Sequence, residues 1–202
     1  MTAPAAGPAA LRGLRVAAVD ADDPRVRPLV DELTREYTSR YGPGAEQEMS
    51  RYPAEEFAPP HGALLLLLAS GRPVAGGAFR RHEDPGTAEF KRIWTHSAHR
   101  RRGLARRVVA ALEREASDRG YRRVLLTTGP RQPEARGLYL ATGYTPLFDL
   151  AADPETIGPL PFEKLLPRAA APPVPESAAT VSPPARRSSE QPLLPVAPPG
   201  GT

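Results

Sequence analysis

Val26, Leu29, Val30, Leu33, Tyr37 and Tyr41 recur at steps of three and four, the spacing of one buried face of a helix. Asp23-Pro24 supplies the start, a carboxylate to cap free N–H groups and a proline at the first helical position, and Gly42-Pro43-Gly44 ends the run. Before this helix, residues 14–19 read as a short strand. After it, residues 45–60 show little pattern beyond a short helix at 54–57. Ala63 to Ala69 is a continuous apolar run of strand length, followed by the turn Ser70-Gly71-Arg72-Pro73. Residues 74–81 return as a second strand, Glu83-Asp84-Pro85-Gly86 turns once more, and residues 87–96 form a third.

Helical spacing resumes at Leu104, Val108, Ala111, Leu112 and Ala116, and Gly120 closes it. Residues 121–128 then read as a strand, 134–142 as a short helix ended by Gly143, and 144–150 and 160–166 as two further strands. Strand, helix, a three-strand meander, helix, strand, helix and two strands describe an α/β chain: a mixed sheet with helices on its faces.

Composition narrows the picture. At 202 residues the chain suits one domain with a hydrophobic core, expected over 13–166. Of its 26 prolines, ten fall in 167–202, which reads as a disordered or polyproline-like tail; residues 1–12 read as a flexible arm. Paired prolines in the tail suit a proline-reading module or simply a solvated segment. The absence of cysteine excludes disulfides, thiolate metal sites and a cysteine nucleophile. No run reaches the roughly 18 apolar residues of a membrane span and no leader pattern opens the chain, so a cytoplasmic protein without membrane contact is expected.

Charge is unevenly placed. Residues 91–131 carry twelve Lys or Arg against three acids, a local +9 in a chain of net +4, leaving −5 elsewhere. Five arginines crowd His99-Arg100-Arg101-Arg102-Gly103-Leu104-Ala105-Arg106-Arg107-Val108-Val109, between an expected strand and an expected helix. A helix N-terminus offers unpaired N–H groups and partial positive charge, and Gly103 lets backbone approach a ligand there. The segment therefore fits a compact polyanion such as a pyrophosphate, with a solvated basic face as the plain alternative. Regular aromatic interleaving and nucleic-acid motifs are missing, so no nucleic-acid partner is expected.

Arg100-Arg101-Arg102-Gly103-Leu104-Ala105 resembles the Q/R-x-x-G-x-G/A acetyl-coenzyme A loop of the GNAT N-acetyltransferase superfamily. Gln132-Pro133-Glu134-Ala135-Arg136-Gly137-Leu138-Tyr139, followed by Gly143-Tyr144, is similar to that superfamily's N-x-x-A-x-x-L-Y-x-x-x-G-F motif. Ala88 to Trp94 resembles the strand before the loop, and Phe162-Glu163-Lys164 a closing strand of bacterial members. The resemblance covers about residues 14–166 and implies an acyl-CoA N-acyltransferase fold, a mixed sheet of about seven strands flanked by about four helices. Three positions depart from the pattern: Arg101 for a common glycine, Gln132 for asparagine, and Gly137 inside the last helix at about 1 kcal/mol relative to alanine.

The resemblance implies acetyl-CoA as acyl donor, an amine as acceptor, no metal, and a monomer or homodimer. Coenzyme A would be held by Ile93, Trp94, Thr95, Arg100, Arg101, Arg102, Gly103, Leu104, Ala105, Arg106, Gln132, Ala135 and Tyr139, with its pantetheine arm between two parallel strands that splay apart. An alkyl amine, with a pKa of about 10, must lose a proton before it attacks. Glu89, eleven residues before Arg100, is the expected base; a cross-strand ion pair is its alternative role. Tyr139 is the expected acid for the departing thiolate, or a ring packed on the pantetheine. His96 and His99 flank the loop as further bases, while the four histidines lack metal-ligand spacing. Tyr37, Tyr41, Tyr52 and Phe57 are expected in the acceptor pocket or the core, and the −5 outside the basic segment favours a cationic acceptor. Transfer by direct attack in a ternary complex is the first reading; a module that binds acyl-CoA without turnover, suggested by the three departures, is the second.

Overall fold

A computed structural model of the protein describes residues 13–45 and 47–167, so the expected arm at 1–12 and the tail from 168 onward lie outside the described residues. In chain order the elements are β1 (Arg15–Val19), α1 (Arg27–Tyr41) entered through a 3-10 turn at Pro24–Val26, α2 (Gln47–Ser50), a 3-10 turn at Ala54–Phe57, β2 (Ala63–Ala69), β3 (Arg72–Arg81), β4 (Thr87–Thr95), α3 (Leu104–Asp118), β5 (Arg123–Thr128), α4 (Pro133–Ala141), β6 (Thr145–Pro146), α5 (Pro154–Ile157) and β7 (Leu160–Leu165). They form one seven-stranded sheet in the order β1-β2-β3-β4-β5-β7-β6. Only β4 and β5 run parallel, and α3 is the crossover between them.

The apolar run in β2 is continuous because both faces of that strand are covered. Ala63, Leu65, Leu67 and Ala69 join the core under α3, with Phe79, Phe90, Leu112, Val124 and Phe162. Leu64, Leu66 and Leu68 face the other way, onto Leu29 and Leu33 of α1, Ala78 and Trp94. Close helix approach demands small residues on β3: a Cβ at Gly77 would lie 2.7 Å from Ile93 Cδ1 and 3.0 Å from Leu112 Cδ1.

Local chemistry explains the boundaries. The Asp23 carboxylate accepts from Arg25 N at 2.8 Å and pairs with its guanidinium, hydrogen bonds that hold its pKa down to about 2. After α3, Gly120 takes a left-handed φ of 89°, and Tyr121 N donates back to Ala116 O at 3.0 Å, so the expected strand at 121 begins two residues later. The strand expected over 144–150 shrinks to Thr145–Pro146: Pro146 cannot donate to a ladder, and Asp149 accepts from Ala151 N at 2.9 Å to turn the chain. Two single-turn helices, α2 and α5, were not expected from the pattern.

The Phe162-Glu163-Lys164 segment acquires a structural role. Phe162 is fully buried, Glu163 pairs with Arg123 at 3.6 Å, and Lys164 Nζ reaches both oxygens of Glu113 on α3 at 2.9 Å. The same ammonium donates to Thr142 O at 2.8 Å, capping the last turn of α4, so one side chain joins strand and both helices. Replacing Lys164 by Ala leaves Glu113 and the Thr142 carbonyl uncompensated, and denaturant unfolding should show a loss of about 2 kcal/mol.

Candidate active site

β4 and β5 pair from Thr87↔Arg123 to Phe90↔Leu126 and then separate, while β5 continues along β7 to Thr128↔Leu160. The separation begins at an irregularity in β4. Ala78 faces Lys91 and Gly76 faces Trp94, so Gly77 alone opposes Arg92 and Ile93, and Arg92 sits at φ 58°. A bulge of this kind bends a strand and re-aims its side chains. Three connected cavities open along the divergence.

The first is a groove of about 300 Å³ between β4, α1, the Arg100–Gly103 loop and α4. At its end Gly103 is left-handed at φ 73°, and α3 starts at Leu104 without a side-chain cap. Among the described residues no side chain caps the N–H groups of the first turn, the arrangement that binds phosphate. A Cβ at Gly103 would meet nothing within 4 Å, so the space before these groups is open. Arg100 extends into the groove and pairs with Glu36 of α1 at 2.7 Å. Arg40 pairs with the same Glu36 at 3.0 Å and with Glu134 at the start of α4. Burial, the largest single influence, works against the Glu134 charge, but the Arg40 hydrogen bond, a backbone hydrogen bond and the charges of Arg40 and Arg100 together outweigh it and lower the carboxyl's pKa.

The loop itself is tied to α1. Glu32 accepts from Trp94 Nε1, Ser97 N and Ser97 Oγ, each at 3.0 Å. Burial alone would raise its pKa; the bonds from Trp94 and Ser97, with His96 close by, bring it below the usual carboxylate value. His99 is pushed down by burial and by neighbouring His96 and Arg102, which favours its neutral form.

The second cavity, about 640 Å³, lies on the far side of the sheet's opening and is lined by Tyr37, Tyr41, Tyr52, Glu48, Arg51, Glu89 and Lys91, among others. Its floor is a chain of alternating charges. Glu56–Arg80 and Arg80–Glu89 are both 2.7 Å, Glu89–Lys91 is 3.0 Å, and Lys91–Glu48 and Glu48–Arg51 are both 3.4 Å. Arg80 also lies 3.9 Å from the centre of the Tyr52 ring. The third cavity, about 70 Å³, joins the other two: it shares Ile93, Ala135 and Tyr139 with the groove and Tyr37, Lys91 and Thr127 with the larger pocket. Tyr139 is 5% exposed, and burial drives its phenol pKa well above the ordinary value. Burial, reinforced by the charges of Glu48 and Glu36, pushes Tyr37 up to about 12.

Of the residues expected to hold the cofactor, Ile93, Trp94, Thr95, Arg100, Gly103, Ala105, Arg106, Gln132, Ala135 and Tyr139 line the groove. Trp94 offers only backbone, because its indole is buried against α1. Leu104 is likewise a core residue, and Arg101 and Arg102 lie exposed beside the groove without lining it. Gln132 Oε1 accepts from Gly129 N at 2.9 Å and Thr128 Oγ1 at 3.0 Å, so it braces the turn after β5. Glu89 reaches the larger pocket, and its two oxygens are met by Arg80, its register partner on β3, and by Lys91. The ion pair weighed against a base role is therefore formed, and with two cations. Tyr37, Tyr41 and Tyr52 line the larger pocket; Phe57 is buried and touches only the junction. His96 and His99 line none of the three cavities. The pattern of the sequence missed Glu32, Glu36, Arg40, Glu48 and Arg92, although Glu36 and Arg40 stand at the i, i+4 spacing that brings helical side chains together.

A mixed sheet opened between two parallel strands, with a helix N-terminus facing the gap, defines an acyl-CoA acyltransferase fold. The acetyltransferase (GNAT) family model matches residues 27–144, and the chain belongs to that family. It is 33% identical over 92 residues to the uncharacterized N-acetyltransferase YsnE of Bacillus subtilis strain 168; the match takes in 43% of this chain and 61% of that relative, less than two thirds of its length. Among solved structures, an acetyltransferase from Streptococcus agalactiae aligns with TM-score 0.58 at 19% identity, over 77% of this chain and 99% of the other. The yncA protein of Salmonella typhimurium, solved with its cofactor acetyl-CoA, aligns with TM-score 0.58 at 16% identity, over 79% and 98%. At such identities the likeness is one of fold.

Arg101 lies at φ 59° beside Gly103 at 73°, so a side chain occupies a backbone conformation that glycine adopts without strain. Arg101→Gly should raise unfolding free energy by about 1 kcal/mol, and Gly103→Ala should lower it by about as much, in chemical denaturation of the two variants beside the parent.

Proposed function

We propose that the protein is an acetyl-CoA-dependent N-acetyltransferase that acetylates a primary amine of a small molecule or peptide by direct attack in a ternary complex. The observation that carries this reading is the small junction cavity, which shares Tyr139 with the groove and Tyr37 with the larger pocket, with a phosphate-suited helix start at one end and a tyrosine-lined pocket at the other. The residues fit the donor: the open N–H groups of α3 and nearby Arg106 suit a pyrophosphate, and the freed backbone edges of β4 and β5 suit an amide-bearing arm. Acetyl-CoA supplies the activated acetyl group as a thioester. Arg100 would turn from Glu36 to a phosphate, exchanging one ion pair for another.

Glu89, directly or through a water, accepts the proton that the attacking amine gives up, with Lys91 and Arg80 fixing its orientation. Tyr139 Oη donates a hydrogen bond to the departing sulfur. A thiol's ordinary pKa is about 8.5, well below that of this buried phenol, so the tyrosine keeps its proton and stabilises the thiolate as a donor. Engagement of both Glu89 oxygens favours the second reading, an acyl-CoA-binding module without turnover. Release of free thiol from acetyl-CoA across a broad amine panel separates the two, with calorimetry of acetyl-CoA binding alongside.

Tyr139→Phe should lower kcat about tenfold or more while the KM for acetyl-CoA stays within about threefold, as expected when a donor acts mainly in the transition state. Because burial raises the Tyr139 pKa, its protonated form persists to higher pH than a free phenol. The rate should therefore rise as the amine deprotonates and show no falling limb near pH 10, the ordinary phenol pKa of about 10. Gly103→Glu, which places a carboxylate at the helix start, should abolish acetyl-CoA binding in the same calorimetry.

A further inference from the structure

The junction cavity holds a cation that has no ion-pair partner among the described residues. Arg92 lines it from the bulge in β4, held there by a left-handed backbone at φ 58°. Its guanidinium lies 4.2 Å from the centre of the Phe57 ring and donates once, from Nη2 to Met49 O at 2.7 Å. Neither contact carries a negative charge, and most of the N–H donors of the guanidinium remain unspent. Burial opposes its charge and lowers its pKa; Tyr37 and Glu48 only partly offset this.

The acids around it are already engaged. Glu89 meets Arg80 and Lys91, Glu48 meets Lys91 and Arg51, and Glu56 meets Arg80. A polycationic acceptor entering this pocket would have to break those pairs, against the expectation drawn from the charge of the whole chain. Four cations, Arg51, Arg80, Lys91 and Arg92, stand against these three acids, and the excess charge is at Arg92. Glu48 lines the junction but is spent on Lys91 and Arg51, so the cavity's two cations, Lys91 and Arg92, outnumber its one acid.

We propose that the acceptor is an amine bearing a carboxylate on the same or a neighbouring carbon, and that Arg92 receives the carboxylate. This rests on the transferase reading above. Arg92 and Tyr139 line the same small cavity, so a carboxylate on the first leaves an adjacent amine beside the second, where the thioester is expected. The remainder of the acceptor extends into the 640 Å³ pocket between Tyr37, Tyr41 and Tyr52. Arg92 is thus a specificity residue: it selects the acceptor and orients its amine.

The test measures thiol release from acetyl-CoA with free amino acids, each paired with its carboxamide and its decarboxylated amine. The expected result is a kcat/KM for at least one free amino acid about tenfold or more above that of its two carboxylate-free counterparts, the size of a charge-assisted hydrogen bond. In Arg92→Met that ratio should collapse toward one, and in Arg92→Lys it should return in part, with circular dichroism confirming that both variants fold. Equal rates within each trio, or a ratio unchanged in Arg92→Met, would overturn the proposal. If no amine releases thiol, the transferase reading falls instead, and calorimetry of the same trios on the protein saturated with coenzyme A decides this one: preferential binding of the carboxylate form, lost in Arg92→Met, supports it, and its absence overturns it.

Discussion

Everything in the site follows from β4 parting from β5 after Phe90 and Leu126. Two parallel strands buried under α3 would ordinarily satisfy one another's backbone to the end. Here β4 bulges at Arg92, where Gly77 alone faces two residues, and β5 remains paired only along its other edge, with β7. The gap leaves polar backbone edges in the middle of a well-packed sheet, a cost that only a ligand or solvent can offset. Around it the fold is closely packed: both faces of β2 are covered, and Lys164 fastens α3 to the end of α4.

Electrostatics inside the fold is more local than the charge count along the chain. Several cations of the basic segment are spent on structure: Arg119 on Glu115 and the Gly62 carbonyl, Arg123 on Asp84 and Glu163, Arg131 on Glu155. Even Arg100 is balanced by Glu36. On the proposed reading, recognition of anions depends less on net charge than on where donors point, at the first turn of α3 and at Arg92. The same is true of the acids, whose excess outside the basic segment does not make the larger pocket negative.

Sequence patterning was a good guide wherever one interaction dominated. The α1 stripe and the β2 run are fixed by periodicity and by burial on both faces, and both elements form as expected; Gly103 and Tyr139, the latter picked out by the family resemblance, both line the groove. It failed where several weak signals had to be summed. Asp153-Pro154 repeats the Asp23-Pro24 start and likewise caps a turn of helix, α5, but no apolar periodicity follows to advertise it. Residues 47–50 form α2 with no residue buried, so no apolar stripe marks it. Trp94 sits in the expected groove-forming strand, yet the bulge turns its ring to the opposite core, an inversion that cannot be read before the register is known. The pairing of Glu89 with its register partner Arg80 was legible as an alternative; its second partner, Lys91, is two residues along the same strand and therefore on the same face.

Helix α1 touches both ends of the site. Its Leu33 and Glu36 border the groove, its Tyr37 and Tyr41 border the larger pocket, and Glu32 clamps it to the loop that precedes α3. A ligand that draws Arg100 away from Glu36 alters the forces on the element that shapes the other pocket. Occupancy of one cavity and affinity at the other then become linked quantities, and linkage is reciprocal: whatever preference the first ligand confers on the second, the second returns in equal measure.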